Sequence, residues 1–182
     1  MYTQQSSENE LIDGCKNQNQ LAQKYLYKRF YSTMLNSCMR YTNNRQDAVE
    51  ILNNGFLKVF NSIGGFEGKG SLEGWIRKII INTALDFTRS QRKYKEAMDF
   101  ESTKENSISP EVIDRLTGED ILSVMQRIPI SSRQVFSLYM IDGYTHKEIG
   151  SMLEISEGTS KWHLSRAKEL FKKFAEKLFI LV

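Results

Sequence analysis

The sequence predicts an all-helical protein built from two small domains. Three observations carry that expectation. Apolar residues recur at intervals of three and four along most of the chain, the spacing of a helix face. Only two prolines, Pro110 and Pro129, interrupt the 182 residues, and β-branched alternation is scarce. Between residues 96 and 116 the apolar pattern gives way to acids, Ser, Thr and Asn, which marks a flexible linker. Hydrophobic residues make up 40% and charged residues 26%, the balance of an ordinary globular chain. A chain of this length can bury one good core or two small ones.

The first domain is expected over residues 8–95. Leu21, Ala22, Tyr25, Leu26, Phe30 and Met34 share one helical stripe, and Ala48, Ile51, Leu52, Phe56, Val59 and Phe60 share another. A glycine-rich loop, GGFEGKGS at 64–71, precedes a third helix for which Ser71 is the N-cap. Trp75, Ile76, Ile79, Ile80, Ala84, Leu85 and Phe87 give that helix an apolar side broad enough to be sandwiched between neighbours. After the linker, residues 117–182 make the second domain. A helix from about Gly118 ends before Pro129, because proline disfavours helix at the residue preceding it. SSRQVFSLYMI forms the next, capped by Ser131 or Ser132 and closed by Gly143. Two further helices almost abut, THKEIGSML and SEGTSKWHLSRAKELFKKFAEKLF, with Thr145 and Ser156 as caps and only Glu154 and Ile155 between them. So tight a junction, followed by a helix rich in Lys and Arg, is the pattern of a helix-turn-helix.

The net charge of +3 is small, but its distribution is ordered. Residues 71–95 carry Arg77, Lys78, Arg89, Arg92, Lys93 and Lys95 against Glu73 and Asp86. Acids dominate from Glu96 to Asp120, and the last helix is basic again, with Lys161, Arg166, Lys168, Lys172, Lys173 and Lys177. Basic, acidic, basic suggests two anion-binding modules joined by an acidic strap. Cys15 and Cys38 lie far apart without ligand spacing and are expected to be reduced, structural thiols. No metal or cofactor is expected. No charged start followed by an apolar run opens the chain, and no apolar stretch can span a bilayer, so a cytoplasmic protein without membrane insertion is expected.

The glycine loop invites comparison with a phosphate-cradling P-loop, which needs a hydroxyl residue directly after the lysine. Gly70 stands between Lys69 and Ser71, and the preceding segment has helical rather than strand spacing, so nucleotide hydrolysis is not supported. His146 and His163 belong to no nucleophile constellation in the sequence, which leaves no enzyme signature. On the last helix, Leu164, Ala167, Phe171, Phe174, Ala175 and Leu178 form the core stripe. Trp162, Ser165, Arg166, Glu169, Lys172 and Lys173 lie opposite, with Lys161 at the margin. An outward tryptophan needs a partner, either another protein surface or the major groove, where it would lie beside thymine methyls with Lys161 and Arg166 near bases or phosphates.

GYTHKEIGSMLEISEGTSKWHLSRAKELFKK resembles the DNA-reading carboxyl-terminal region of extracytoplasmic-function sigma factors, with its pattern G-Y-[ST]-x-x-E-I-[AG]…I-S-x-G-T-V-K-S-R-L-x-R-[AG]. DAVEILNNGFLKVFNSIGGFEGKGSLEGWIRKIIINTALDFTRSQRK is similar to the same family's region two, and both occur in the family's order. The resemblance implies a two-domain sigma factor, without the inhibitory and middle regions of housekeeping members. It implies that the protein binds core RNA polymerase, through the β′ clamp and β flap, and directs promoter recognition and −10 melting. Phe66, Gly68, Lys69, Gly70 and Ser71 would form the loop that captures a flipped −10 base. Asn82, of the N-x-A pattern, would read a base edge, and Arg77, Lys78, Arg89, Arg92 and Lys93 would hold single-stranded backbone. Thr159, Ser160, Lys161, Trp162, His163, Arg166 and Lys168 would meet the double-stranded −35 element. Asp47, Glu50, Asn53, Asn54 and Phe56 match the surface that grips polymerase. The linker would thread the RNA exit region, and an anti-sigma factor or other recruiting protein would regulate the whole.

Three departures qualify the match. Asn54 replaces an acid, Glu154 replaces a glycine of the turn, and Trp162 and His163 replace serine and arginine on the reading helix. The last change predicts an altered −35 preference or a protein partner. The competing class is a helix-turn-helix regulator that binds duplex DNA without touching polymerase. It leaves the first domain's loop, Asn82 and basic helix without a purpose.

Overall fold

The computed structural model describes residues 2–97 and 118–179; side chains at 92–97, 118–120 and 177–179 lie outside that description. Among the described residues there are eight α-helices and no strand. They are α1 (Glu8–Lys16), α2 (Gln20–Met39), α3 (Arg45–Ser62), α4 (Leu72–Ala97), α5 (Gly118–Gln126), α6 (Ile130–Phe136), α7 (His146–Leu153) and α8 (Glu157–Phe179). The chain forms two compact units, as expected. The first holds the helices up to Ser90 except for Met39–Asn44, a segment that clusters with the second unit. Beyond residue 97 the expected linker falls outside the described residues.

In the first unit, helix starts are set by side chains that satisfy the first free N–H groups. Ser7 Oγ accepts from Glu10 N at 3.3 Å, and the Glu10 carboxylate accepts the Ser7 N–H at 2.7 Å, a complete capping box on α1. Asn19 Oδ1 does the same for Leu21 and Ala22 at the start of α2. Ala22, Leu26, Phe30, Met34 and Cys38, four residues apart, make one buried stripe; Leu21 falls beside it and is 42% exposed. Leu11, Ile12 and Cys15 of α1 join that core, together with Ala48, Ile51, Leu52, Phe56 and Val59 of α3. Leu72, Ile76, Ile80, Ile81, Ala84 and Leu85 of α4 complete it, while Trp75, Ile79 and Phe87, at the edges of its expected apolar side, are only partly covered. Cys15 and Cys38 are buried and not joined in a disulfide, and burial pushes the Cys15 thiol up to about 11.

In the second unit, α6 packs on α8 and α7 packs on α8. Val124, Met125, Ile128, Val135, Leu138, Ile149, Leu164 and Ala167 are the core, and Phe136 stacks on Phe171 with ring centroids 5.5 Å apart. The expected single helix SSRQVFSLYMI is two pieces. Pro129, not Ser131 or Ser132, holds the N-cap position of α6, which puts both serines inside the helix. After Phe136 the chain loosens into a π-helical turn, Ser137–Ile141, which leaves Tyr139, Met140 and Ile141 between 38% and 50% exposed. Gly143 follows at φ 77°.

The unit also buries a cation. Arg133 is 0% exposed. Its guanidinium donates to Arg40 O (3.1 Å), Thr42 O (2.7 Å), Asn43 Oδ1 (2.6 Å) and Gln126 Oε1 (2.9 Å), all neutral oxygens. Gln126 Nε2 donates in turn to Met39 O, and Asp142 accepts from Tyr41 Oη at 3.0 Å and lies 3.4 Å from Arg40. The segment Met39–Asn44 is thereby stitched into the unit. Burial lowers the Arg133 pKa to about 10, so the group is still charged at neutral pH.

Candidate nucleic-acid interface

Three surfaces collect the residues singled out in the sequence. The first is the loop ahead of α4. Its first two glycines are taken into a 3₁₀ turn, Ile63–Gly65, and the open part begins at Phe66. Gly68 and Gly70 sit at φ 74° and φ 111°, left-handed backbone that glycine adopts without a side-chain clash. Gly70 N donates to Gly68 O at 3.0 Å, closing a tight turn. The Phe66 ring leans on Trp75 with centroids 5.4 Å apart, and the exposed Lys69 reaches Glu67 at 2.6 Å. Ser71 Oγ accepts the Gly74 N–H at 3.1 Å, the cap expected of it. Lys78 and Asn82 follow one turn apart, both exposed, on the solvent side of α4. Two of the expected cations are partly answered from their own helix: Arg77 pairs with Glu73, and Arg89 lies 3.4 Å from Asp86. Arg92 and Lys93 lie on α4, but their side chains fall outside the described residues.

The second surface is one face of α3. Asp47, Glu50 and Asn54 repeat at intervals of three and four, and Asn53 beside them accepts from Tyr27 Oη at 2.8 Å. Phe56 does not belong to it. That side chain is 1% exposed and packs edge-on against Tyr27 at 4.8 Å, so it supports the face from beneath. Leu57, one turn beyond Asn53 and Asn54, is 61% exposed and adds an apolar side chain to the face that the expected residues did not include. The signal was its register: three after Asn54, on the face already chosen.

The third surface is the α7–α8 pair. Thr145 and Glu148 form a capping box, with Thr145 N donating to the Glu148 carboxylate at 2.8 Å. The turn between the helices places Glu154 at φ 58°, ψ 43°, a left-handed residue that hydrogen-bonds back to Gly150 O. A side chain on Gly150 would bring its Cβ within 2.8 Å of Ile155 O, which is why the helices can abut there. Ser156 Oγ accepts the Thr159 N–H at 3.0 Å and starts α8.

Of the seven residues expected on the reading side of α8, five are exposed: Thr159, Lys161, Trp162, Arg166 and Lys168. The other two turn inward. Ser160 is 0% exposed and its Oγ shares a 2.9 Å hydrogen bond with His146 Nδ1, because it lies four residues before Leu164 on the core stripe. His163 is half-buried, its Nδ1 2.9 Å from Ser132 Oγ, and burial holds its pKa below the ordinary 6.5. His146 stacks on Tyr139 at 4.6 Å. Trp162 stands out at 61% exposure, and Arg166 reaches Glu169 at 3.1 Å. Among the described residues no cluster of His, Cys, Asp and Glu could hold a metal, and no helix is long and apolar enough to cross a membrane.

Comparison with known proteins follows the same division. Residues 26–94 match Sigma-70 region 2, and residues 118–171 match Sigma-70, region 4. The chain is 27% identical over 143 residues to the ECF RNA polymerase sigma factor SigE of Mycolicibacterium smegmatis, covering 76% of this chain and 55% of that protein's length. It is 21% identical to the RNA polymerase sigma-H factor of Pseudomonas aeruginosa, over 98% of both chains. Among solved structures, the sigma factor RpoE of Bartonella quintana, in complex with the anti-sigma factor NepR, aligns with a TM-score of 0.57. That alignment covers 84% of this chain and 96% of that one at 16% identity, a likeness of fold. CnrH, in complex with the cytosolic domain of CnrY, aligns with a TM-score of 0.51, also at 16% identity, over 94% of this chain and 99% of that one.

Proposed function

The chain belongs to the sigma-70 family, in its extracytoplasmic-function group, and from that premise we propose that it is an alternative sigma factor that binds core RNA polymerase and directs transcription initiation. The observation that carries the reading is the presence, in one chain and in order, of region 2 and region 4. A helix-turn-helix alone accounts for duplex binding; region 2 is the part whose use requires polymerase.

Each surface then has a role. The exposed side of α8, with Thr159, Lys161, Trp162, Arg166 and Lys168, enters the double-stranded −35 element, while Ser160 and His163 face the inside of the unit. Lys161 and Lys168 neutralise phosphate, a contribution that is independent of sequence and weakened by salt. The loop at 66–71 and Asn82 meet the −10 element once it is single-stranded. Glycine backbone can approach a base closely, and an amide can donate and accept on its edge. Arg77, Lys78, Arg89, Arg92 and Lys93 track that strand's backbone. Asp47, Glu50, Asn53, Asn54 and Leu57 make the polymerase-facing surface on the β′ clamp, with region 4 seated on the β flap. Binding energy opens the DNA, and polymerase supplies the metal and the catalysis, so the protein works in the cytoplasm wherever polymerase does. An anti-sigma factor as regulator is supported by the related fold of RpoE, solved in complex with the anti-sigma factor NepR.

The deciding experiment adds the full chain to sigma-free core polymerase on pooled genomic DNA and sequences the RNA 5′ ends. New starts that share −10 and −35 motifs are expected. Binding to DNA without binding to core would replace this reading by the plain helix-turn-helix regulator.

A further inference from the structure

Trp162 and His163 are neighbours on α8 but meet different surroundings. Trp162 is 61% exposed, whereas His163 is half-buried and shares its 2.9 Å hydrogen bond with Ser132 of α6. Ser132 is itself 3% exposed, so the hydroxyl is held inside the unit where few competing waters reach it. The indole and the imidazole meet in a T, with centroids 4.9 Å apart and planes at 73°. A chain of contacts thus runs from the core to the surface: Ser132, His163, Trp162.

An exposed aromatic on a helix samples several rotamers, and fixing one on binding costs affinity. One side of this indole is walled by a ring that cannot swing away without giving up its hydrogen bond. The free side is a broad apolar surface flanked by the exposed Lys161 and Arg166. Within the major groove, base edges are donors and acceptors except at one group, the C5-methyl of thymine. A cation-flanked, preoriented apolar plane fits that methyl group, because the cations meet phosphate while the plane excludes water from carbon.

On the reading of α8 as the helix that enters the −35 duplex, we propose that Trp162 recognises a thymine through its C5-methyl group. Ser132 and His163 are positioning residues that hold the indole for it, and His163 touches no base.

The test uses holoenzyme assembled from core and the full chain, with −35 duplexes taken from the mapped starts. Each thymine in turn is replaced by deoxyuridine, which lacks only the methyl group. One position is expected to lose about fourfold in affinity, the worth of one buried methyl. Trp162→Ala should bring that thymine-to-uracil ratio to one. Ser132→Ala should lower the ratio in the same direction while leaving affinity for the uracil duplex as it is; a purely structural Ser132 would weaken both duplexes alike. His163→Asn, which keeps a hydrogen-bonding atom near Nδ1 but removes the ring, should match Ser132→Ala and keeps the question decidable should that variant fold poorly. An undiminished ratio in Trp162→Ala, or sequence-specific binding with no thymine-to-uracil difference anywhere, overturns the methyl contact and leaves Trp162 to a protein partner. An undiminished ratio in both Ser132→Ala and His163→Asn overturns the positioning. No sequence-specific duplex binding by wild-type holoenzyme would overturn the placement of α8 in the −35 element, and this proposal with it, while the mapped starts keep the sigma-factor reading itself standing.

Discussion

Side chains on α8 divide by a single turn of the helix. Arg166 is exposed and shares its guanidinium with Glu169, so it can exchange that carboxylate for phosphate at small cost, as surface pairs are weak. Arg166→Ala is expected to weaken promoter-duplex binding by holoenzyme roughly tenfold and to reduce the slope of log affinity against log salt by about 1, measured by fluorescence anisotropy across a salt series. His163 behaves in the opposite way, since burial disfavours its charged form. Its folded pKa lies below the unfolded value of 6.5, so below that pH the unfolded state takes up more protons. The stability it contributes is therefore full above 6.5 and is lost as pH falls through the unfolded value toward the folded one. Wild-type protein should lose more in Tm between pH ~7.5 and pH ~5.5 than His163→Asn does, read by circular dichroism. Neither role of Ser160 nor that of Phe56 was hidden. Phe56 lies on the stripe with Leu52 and Val59, and Ser160 extends the stripe of Leu164 by one turn, a register the core stripe as read from the sequence did not include; the family likeness put both on surfaces.

Helices here are delimited by chemistry that the sequence displays openly. Thr145 with Glu148, Ser156, Ser71 and Gly143 all do what their positions announce, because capping needs only residues within three or four places. Glu154 is the exception that the structure explains. At φ 58° it carries a side chain where glycine would be unstrained, and the turn keeps that conformation because Gly150 lets the two helices touch. Glu154→Gly should therefore stabilise the second unit by about 1 kcal/mol in urea unfolding, with −35 selectivity retained. A loss of stability would show that Glu154 contributes contacts outweighing the strain. The α6 boundary was less legible. Two serines in sequence look like caps, yet Pro129 takes that position, and packing against α8 draws Ser132 inward to His163.

Across the whole chain the least expected feature is Arg133. A lone arginine in a short amphipathic segment reads as a solvated charge, yet it is fully buried among neutral oxygens of residues 40, 42, 43 and 126. Removing it leaves several buried acceptors without donors, and a group that satisfies them all cannot be replaced by a shorter one. Arg133→Ala is expected to destabilise the second unit by roughly 3 kcal/mol, measured by equilibrium denaturation of the full chain with a probe on α8. An unchanged midpoint would mean that Met39–Asn44 is dispensable to that unit. The division into two basic modules on either side of an acidic stretch is a property of composition, and the ordered family matches follow it closely.

Fold class, the two units, the caps at Ser71, Thr145 and Ser156, the left-handed turn residue and the family were legible in the linear chain, because they rest on interactions spanning a few residues or on periodicity along one helix. The partners of Arg133, the hydrogen-bond partners that Ser160 and His163 find inside, the break at Ser137–Ile141 and the wall beside Trp162 were not. Each depends on which helix lies against which: Arg133 meets residues some ninety positions earlier, and Ser132 meets His163 thirty-one positions later. Periodicity says that a side chain points inward; only packing says what it finds there.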